Sequence, residues 1–454
     1  MKHSIFTQPL GALARSSALL ATLIAALTIT ACGGGGSSDS AATPNTGGGT
    51  STPVATAAAD NALSNGSITG FGSVIVNGVR FDDSSARVSD DDDDDNPGRS
   101  KDDLKLGMVV TVTGSSGTGT GSVTATGTAT AIVFGSELQG PVQSINGITA
   151  SSTITATATG TATSTATAAV GAQTLTILGQ TVVAGTRTIY DPTELPNGFA
   201  SIRVGNILEV HGYLDPATNK LMATRVELKN NANAYKITGN VSGLKAASKT
   251  FKIGSETISY AGTNPNRLNA NLADGLTVRV RLSTTQTTTG TWNATRIKAA
   301  HQVMENRNKV EIEGLITAFT SATKFSVKGV PVDASSASFP KGTASVVLGA
   351  RVEVSGALVS GTLVATKVQT ESEDEGDKGN VSSRNEIELH GEISSVNTGS
   401  KTFVLRGLTV SYAGTVDFQR GTAINLVKGV QVEVKGVAAA TGTTVVAKKI
   451  KFEN

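Results

Sequence analysis

Five times in this 454-residue chain a glycine opens a seven-residue interval in which apolar and polar residues alternate, and four of the intervals close on a second glycine. The copies are residues 106–114 (LGMVVTVTG), 204–212 (VGNILEVHG), 348–356 (LGARVEVSG) and 428–436 (KGVQVEVKG); residues 274–282 (DGLTVRVRL) keep the interval and end on Leu282. Side chains two apart share one face of a strand, so Val352 and Val354 go to a core while Arg351 and Glu353 stay outside. Self-similarity of this kind restricts the chain to one small unit used repeatedly.

Two further landmarks precede each copy. A glycine behind an apolar-x pair falls at Gly70, Gly140, Gly239, Gly314 and Gly391, and a glycine leading a short apolar strand falls at Gly78, Gly179, Gly254, Gly329 and Gly407. An alanine-led strand closes each copy, at Ala129, Ala223, Ala294, Ala365 and Ala447, the first being the loosest match. The glycines mark turns or bulges where the chain bends sharply. Five or six strongly bent strands in about 65 residues can close into a small barrel, and closure removes exposed edges. Helical periodicity is absent beyond the N-terminal segment, so the chain reads as all-β, a tandem array of about five small β-barrel modules. The modules take in residues 67–136, 137–230, 234–300, 309–370 and 385–453, with an acidic linker at 371–384. The second carries a Thr/Ala-rich insert between Gly140 and Gly179, readable as a long hairpin or as disordered chain.

The opening glycine, the strand glycine, the Gly-x-x-Val-x-Val-x-Gly strand and the closing Ala-Thr-Arg-Ile strand, taken five times over, resemble a bacterial envelope domain, the domain of unknown function 5666. The resemblance covers most of residues 67–453. It implies small barrels roughly of the OB type, carried on exported lipoproteins, and it implies no activity. The first copy departs from the pattern by an acidic loop, the second by its insert and the third by Leu282.

The N-terminus supplies an address. Lys2, His3 and Arg15 precede an apolar run at 18–29 (ALLATLIAALTI), followed by Thr30, Ala31 and Cys32, the layout of a cleavable signal peptide over residues 1–31. The run is shorter than the ~20 residues of a spanning helix. Ile29-Thr30-Ala31-Cys32 resembles the lipobox of bacterial lipoproteins, which implies lipid on the Cys32 thiol and a membrane tether. Gly33, rather than Asp, at the next position implies the outer membrane of a Gram-negative cell. Cys32 is the one cysteine in the chain, so no intrachain disulfide forms. Residues 32–66 hold too few large apolar groups to offset ordering entropy and read as a flexible, disordered tether.

Removing residues 1–31 takes the formal charge from +2 to 0 through the loss of Lys2 and Arg15, so the mature chain has no overall attraction to nucleic acid. Charge is uneven along it. Residues 67–136 hold five basic and ten acidic residues, a net −5, and residues 234–308 hold ten and three, a net +7. Arg279 and Arg281 alternate with Val278 and Val280, and Arg296 and Lys298 flank Ile297, so these four cations project from a barrel face. Such a face suits an anionic envelope polymer, an acidic neighbouring module or another envelope protein.

Catalytic motifs are missing. His3, His211, His301 and His390 are dispersed and none is followed by Glu, which excludes HExxH, and neither a Gly-x-Ser-x-Gly elbow nor a Gly-Lys dipeptide occurs. His211 and His390, each beside a landmark glycine, read as partly exposed strand histidines. Trp292 reads as core. In the run Asp90 to Asp95, the spacing of Asp91, Asp93, Asp95 and Asp102 approaches that of a calcium loop, although Asn96 replaces the turn glycine and Asp102 the bidentate Glu. A run of six acids matches almost any such pattern, and a solvated acidic loop is the plainer reading of it. The expectation is a membrane-tethered, non-catalytic binding or structural lipoprotein with no cofactor or with calcium; the alternatives are a calcium-steadied adhesin and a hydrolase of envelope polymers.

Overall fold

A computed structural model describes residues 62–91, 98–117, 125–146, 173–300, 305–371 and 386–453. The signal segment, Cys32, nearly all of the tether, Asp93, Asp95, His301, the core of the Thr/Ala-rich insert and all but the first residue of the acidic linker lie outside the described residues.

Barrel 1 is built from Ala62–Phe71, Val74–Val76, Val79–Asp82, Val109–Ser116 and Ala125–Phe134. Its strands pair in the order 1-2-3-5-4-1, antiparallel except for the third on the fifth, so the sheet closes on itself. This five-stranded Greek-key closure is the OB arrangement. Barrel 2 repeats the order from Leu138–Asn146 to Lys220–Leu228. Barrel 3 repeats it from Tyr235–Asn240 to Trp292–Ala299, its first strand interrupted at Val241. Barrels 4 and 5 follow, from Arg307–Ser321 to Thr362–Glu371 and from Ile387–Asn397 to Thr444–Phe452.

Two local devices recur. Strands two and three join through two residues, Asn77-Gly78, Leu178-Gly179, Lys328-Gly329 and Arg406-Gly407, all at positive φ, the turn whose twist matches that of the strands it joins. The second device is a bulge in strand four. Gly114, Gly212, Gly356 and Gly436 each sit at a register shift against strand five, and a Cβ there would overlap the carbonyl of Thr128, Met222, Val364 or Val446. Leu282 takes the equivalent place in barrel 3, where the shift persists and the side chain is buried. Beside each bulge the alternating pair is buried, as with Val110 and Val112 or Val432 and Val434.

Tandem order does not decide which barrels touch. The front half of each first strand bonds its own strand four along one edge, and the rear half bonds strand two along the other. This leaves half an edge open. In barrel 1 that half-edge, Ala62 to Asn65, pairs in parallel with Lys309 to Ile312 of barrel 4, and Gly70 and Phe71 pair with Glu388 and Leu389 of barrel 5. Barrel 2 meets barrel 3 through Leu138 and Gln139 against Ile237 and Lys236. One continuous sheet thus joins barrels 1, 4 and 5, and another joins 2 and 3. Barrels 1 and 5 share a core, as do 2 and 3, while Leu63 of barrel 1 enters the core of barrel 4.

Gly356→Ala should lower stability by about 1–3 kcal/mol through overlap at the bulge. Gly399→Ala, whose Cβ meets only Asn397 at ordinary contact distance, should stay within ~0.5 kcal/mol. Chemical unfolding of both variants checks the pair, and equal midpoints would contradict the bulge account.

Candidate functional site

Alternation turns the polar positions of strands one, four and five outward, and on this face the barrels meet. At its centre is Glu313, on the first strand of barrel 4 and 8% exposed. Its carboxylate accepts from the Tyr213 hydroxyl of barrel 2 at 2.7 Å, from the Ser67 amide and hydroxyl of barrel 1 at 3.3 and 3.4 Å, and from Arg351 Nε at 2.8 Å. The Arg351 guanidinium lies 4.8 Å from the Tyr213 ring centre and the Lys328 ammonium 5.5 Å from it. Burial works against ionising Glu313, but Arg351 and the hydrogen bonds from Tyr213 and Ser67 hold the carboxyl below its ordinary range. Burial, with Glu313 opposite, raises the Tyr213 phenol well above its usual value. Lys328 is lowered chiefly by burial, which outweighs the attraction of Glu137 and Glu313.

Other ion pairs surround this centre. Arg279 of barrel 3 bonds Asp91 of barrel 1 and Glu137 at the start of barrel 2. Lys236 of barrel 3 lies 3.4 Å from Glu209 of barrel 2, which also takes Lys229 at 2.7 Å. Arg187 of barrel 2 reaches Glu371 of barrel 4 at 3.3 Å, and Arg225 donates to the Leu106 carbonyl of barrel 1 at 3.1 Å.

Between barrels 1 and 5, Glu388, His390 and Glu433 bring metal-ligating atoms within 4.8 Å of one another. Their carboxylates already face cations. Glu388 pairs with Arg80 and with Lys435 at 3.2 Å, and Glu433 with Lys451 at 2.9 Å. The Arg80 guanidinium also lies 2.9 Å from His390 Nε2, and Nδ1 of that ring faces Glu453 at 3.2 Å. With Arg80 against both Glu388 and His390, the cluster acts as a clasp between barrels. Burial opposes it, yet the His390 hydrogen bond, Arg80 and Lys435 hold Glu388 at about 2.

The residues singled out in the sequence have separate fates. Arg279, Arg296 and Lys298 do not project to solvent: Lys298 donates to the Asp91 carbonyl at 2.5 Å, Arg279 is paired as above, and Arg296 is 6% exposed. Arg281 lies nearer the surface, 3.3 Å from Asn233 Oδ1. The basic strands therefore meet barrel 1 through Asp91. Asp102 is exposed on the short turn Lys101–Asp103, capped by Ser100. His211 is not a partly exposed strand residue, being 1% exposed. Its Nδ1 faces the Gly135 carbonyl at 3.1 Å and so carries the proton, and burial lowers the ring's pKa. Trp292 is core, its Nε1 donating to Glu256 at 2.8 Å and its ring set edge-on to Tyr235.

Residues 159–227, 313–369 and 390–451 match the model of a family described as Domain of unknown function (DUF5666). The chain carries DUF5666 modules. The matched stretches fall in barrels 2, 4 and 5, while barrels 1 and 3 share the strand order outside them. No curated protein matches the chain.

Glu313, Tyr213, Arg351, Lys328 and Arg80 were not singled out by motif. A signal for some of them lay in the opening strand of each module. The outward positions before the opening glycine are Ser67 and Thr69, Glu137 and Gln139, Lys236 and Thr238, Glu311 and Glu313, Glu388 and His390. In the DUF5666 modules of barrels 4 and 5 this pair is ionisable at both places.

Glu313→Ala should cost about 3–5 kcal/mol by leaving Arg351 buried without its carboxylate, and Tyr213→Phe about 1–3 kcal/mol. Chemical unfolding reads both, and a Glu313→Ala cost no larger than that of a surface change would contradict the central role.

His211 supplies a pH test. The unfolded ring takes a proton near 6.5 and the folded ring only at lower pH, so its contribution is complete above 6.5 and declines as pH falls below that value. His211→Asn, which keeps a donor near the Gly135 carbonyl, should flatten the fall in stability between about pH 7 and 5.5. An unchanged slope would contradict the assignment.

Proposed function

We propose that the chain is an exported lipoprotein of the cell envelope, held at the outer membrane by lipid on Cys32, whose barrels form a non-catalytic structural or binding body. The observation that supports it most is the use made of the charged side chains. Glu313, Arg279, Lys236, Arg187 and Arg80 each engage a residue of another barrel. Hydrolytic chemistry needs a base or nucleophile in reach of substrate, and here the ionisable groups hold one module against the next. The anchoring half of the reading rests on the lipobox resemblance, and sorting to the outer membrane rests on Gly33.

On this reading Cys32→Ser abolishes labelling of the protein by palmitate in cells and leaves it unprocessed or soluble in the periplasm. Labelling that persists in the variant contradicts the anchor.

A further inference from the structure

The first residue of the turn between strands two and three lies over the opening glycine of its own barrel. A Cβ on Gly140 would overlap Leu178, one on Gly391 would touch Arg406, and one on Gly314 would meet Lys328 Cγ at 2.5 Å and Cδ at 2.7 Å. Among Leu178, Arg406 and Lys328, only the last carries an amine. The bare backbone of Gly314 leaves room for the lysine stem, which carries Nζ out of barrel 4 to Asn65 on the first strand of barrel 1. Nζ donates there to Oδ1 at 2.9 Å. The Asn65 amide is fixed from its other side, because Nδ2 donates to the Val110 carbonyl at 3.2 Å and to Thr111 Oγ1 at 2.8 Å. Its carbonyl group therefore faces the amine. Cγ lies one C=O bond beyond the oxygen, and a small rotation of the lysine stem brings Nζ to the ~3–3.5 Å of atoms poised to react.

Lysine attacks a carbonyl carbon only as the neutral amine. Burial lowers the pKa of Lys328 and so favours that form. Asn65 and Lys328 line a partly open cavity of about 550 Å³ together with Glu137 and Arg279. Glu137 is the carboxylate whose charge acts most on Lys328. Burial opposes ionisation of Glu137, but Arg279, bonded to it at 3.2 Å, holds its carboxyl below the ordinary range. It is thus a carboxylate able to take up a proton.

We propose that Lys328 and Asn65 join in an intramolecular isopeptide bond that ties barrel 4 to barrel 1. Nζ bonds to Cγ, the Cγ–Nδ2 bond breaks, and the amide nitrogen leaves as ammonia through the open side of the cavity. One proton moves from Nζ to Nδ2 through Glu137, directly or by way of a cavity water. The ammonia takes up the proton that the lysine gave up beforehand, so an ammonium and an amide become an amide and an ammonium ion. No oxidant, reductant or co-reactant enters. The bond joins positions 263 residues apart and is independent of the lipid anchor.

The test is the intact mass of the purified mature protein and a tryptic digest of it. The parent should be lighter by one ammonia, and the digest should contain a branched peptide that joins the segments around residues 65 and 328, uncut after Lys328. Lys328→Met and Asn65→Ala should each restore the full mass, lose the branched peptide and unfold at lower denaturant than the parent. Glu137→Gln should leave part of the chain unlinked, and complete linking in that variant would overturn the part given to Glu137. A parent of full mass, with Lys328 cleaved normally, overturns the bond whatever the variants do. So does an ammonia loss carried by a linear peptide, as ring closure between Asn65 and the Gly66 amide would give.

Discussion

The open half-edge of each barrel's first strand is the constraint from which the arrangement follows. A five-stranded barrel in this order bonds the front of its first strand to strand four and the rear to strand two, on opposite edges, and so leaves a short row of backbone donors and acceptors without partners inside the barrel. Such a row is a template for pairing with another strand. Here Ala62 to Asn65 pair with Lys309 to Ile312, Gly70 and Phe71 with Glu388 and Leu389, and Leu138 and Gln139 with Ile237 and Lys236. At Gly70 a side chain would overlap the Glu388 carbonyl, so the glycine that opens the first module also admits the fifth.

Pairing through first strands brings polar faces together, and that fixes the chemistry of the interior. Buried ion pairs add little net stability because desolvation offsets attraction, yet removing one partner is expensive. They act as a register code. Glu313 meets Ser67, Tyr213 and Arg351, and Arg80 meets Glu388 and His390, so each contact identifies the barrel it belongs to. Modules alike in their apolar cores are told apart by charge. The −5 of the first copy and the +7 of the third are partly reconciled at Asp91, Arg279 and Lys298.

The barrels themselves were legible in the sequence because each defining feature is local. A two-residue turn needs positive φ, a bulge needs room beside a carbonyl, and buried valines alternate, so Gly329, Gly356, Val352 and Val354 announce the unit without reference to distant residues. Which barrel lies beside which was not legible. Alternation separates inside from outside, but it does not say whether an outward residue meets water or another barrel, and so Arg279 and Lys298 read as surface cations and His211 as partly exposed. Only the polar content of the opening strands, Glu311 and Glu313 or Glu388 and His390, hinted that their outer face is not simply wet.

The arrangement of the barrels depends on the first strands of barrels 1 and 4 being bonded on both edges. Successive amides of a strand point to opposite edges, so amide hydrogen exchange followed by NMR distinguishes the two cases at residues 63–65 and 310–312. If the barrels pair as described, consecutive amides in both segments exchange as slowly as those of the cores. If only alternate amides are slow, those facing each barrel's own fourth strand, the first strands are unpaired between barrels and the account is wrong.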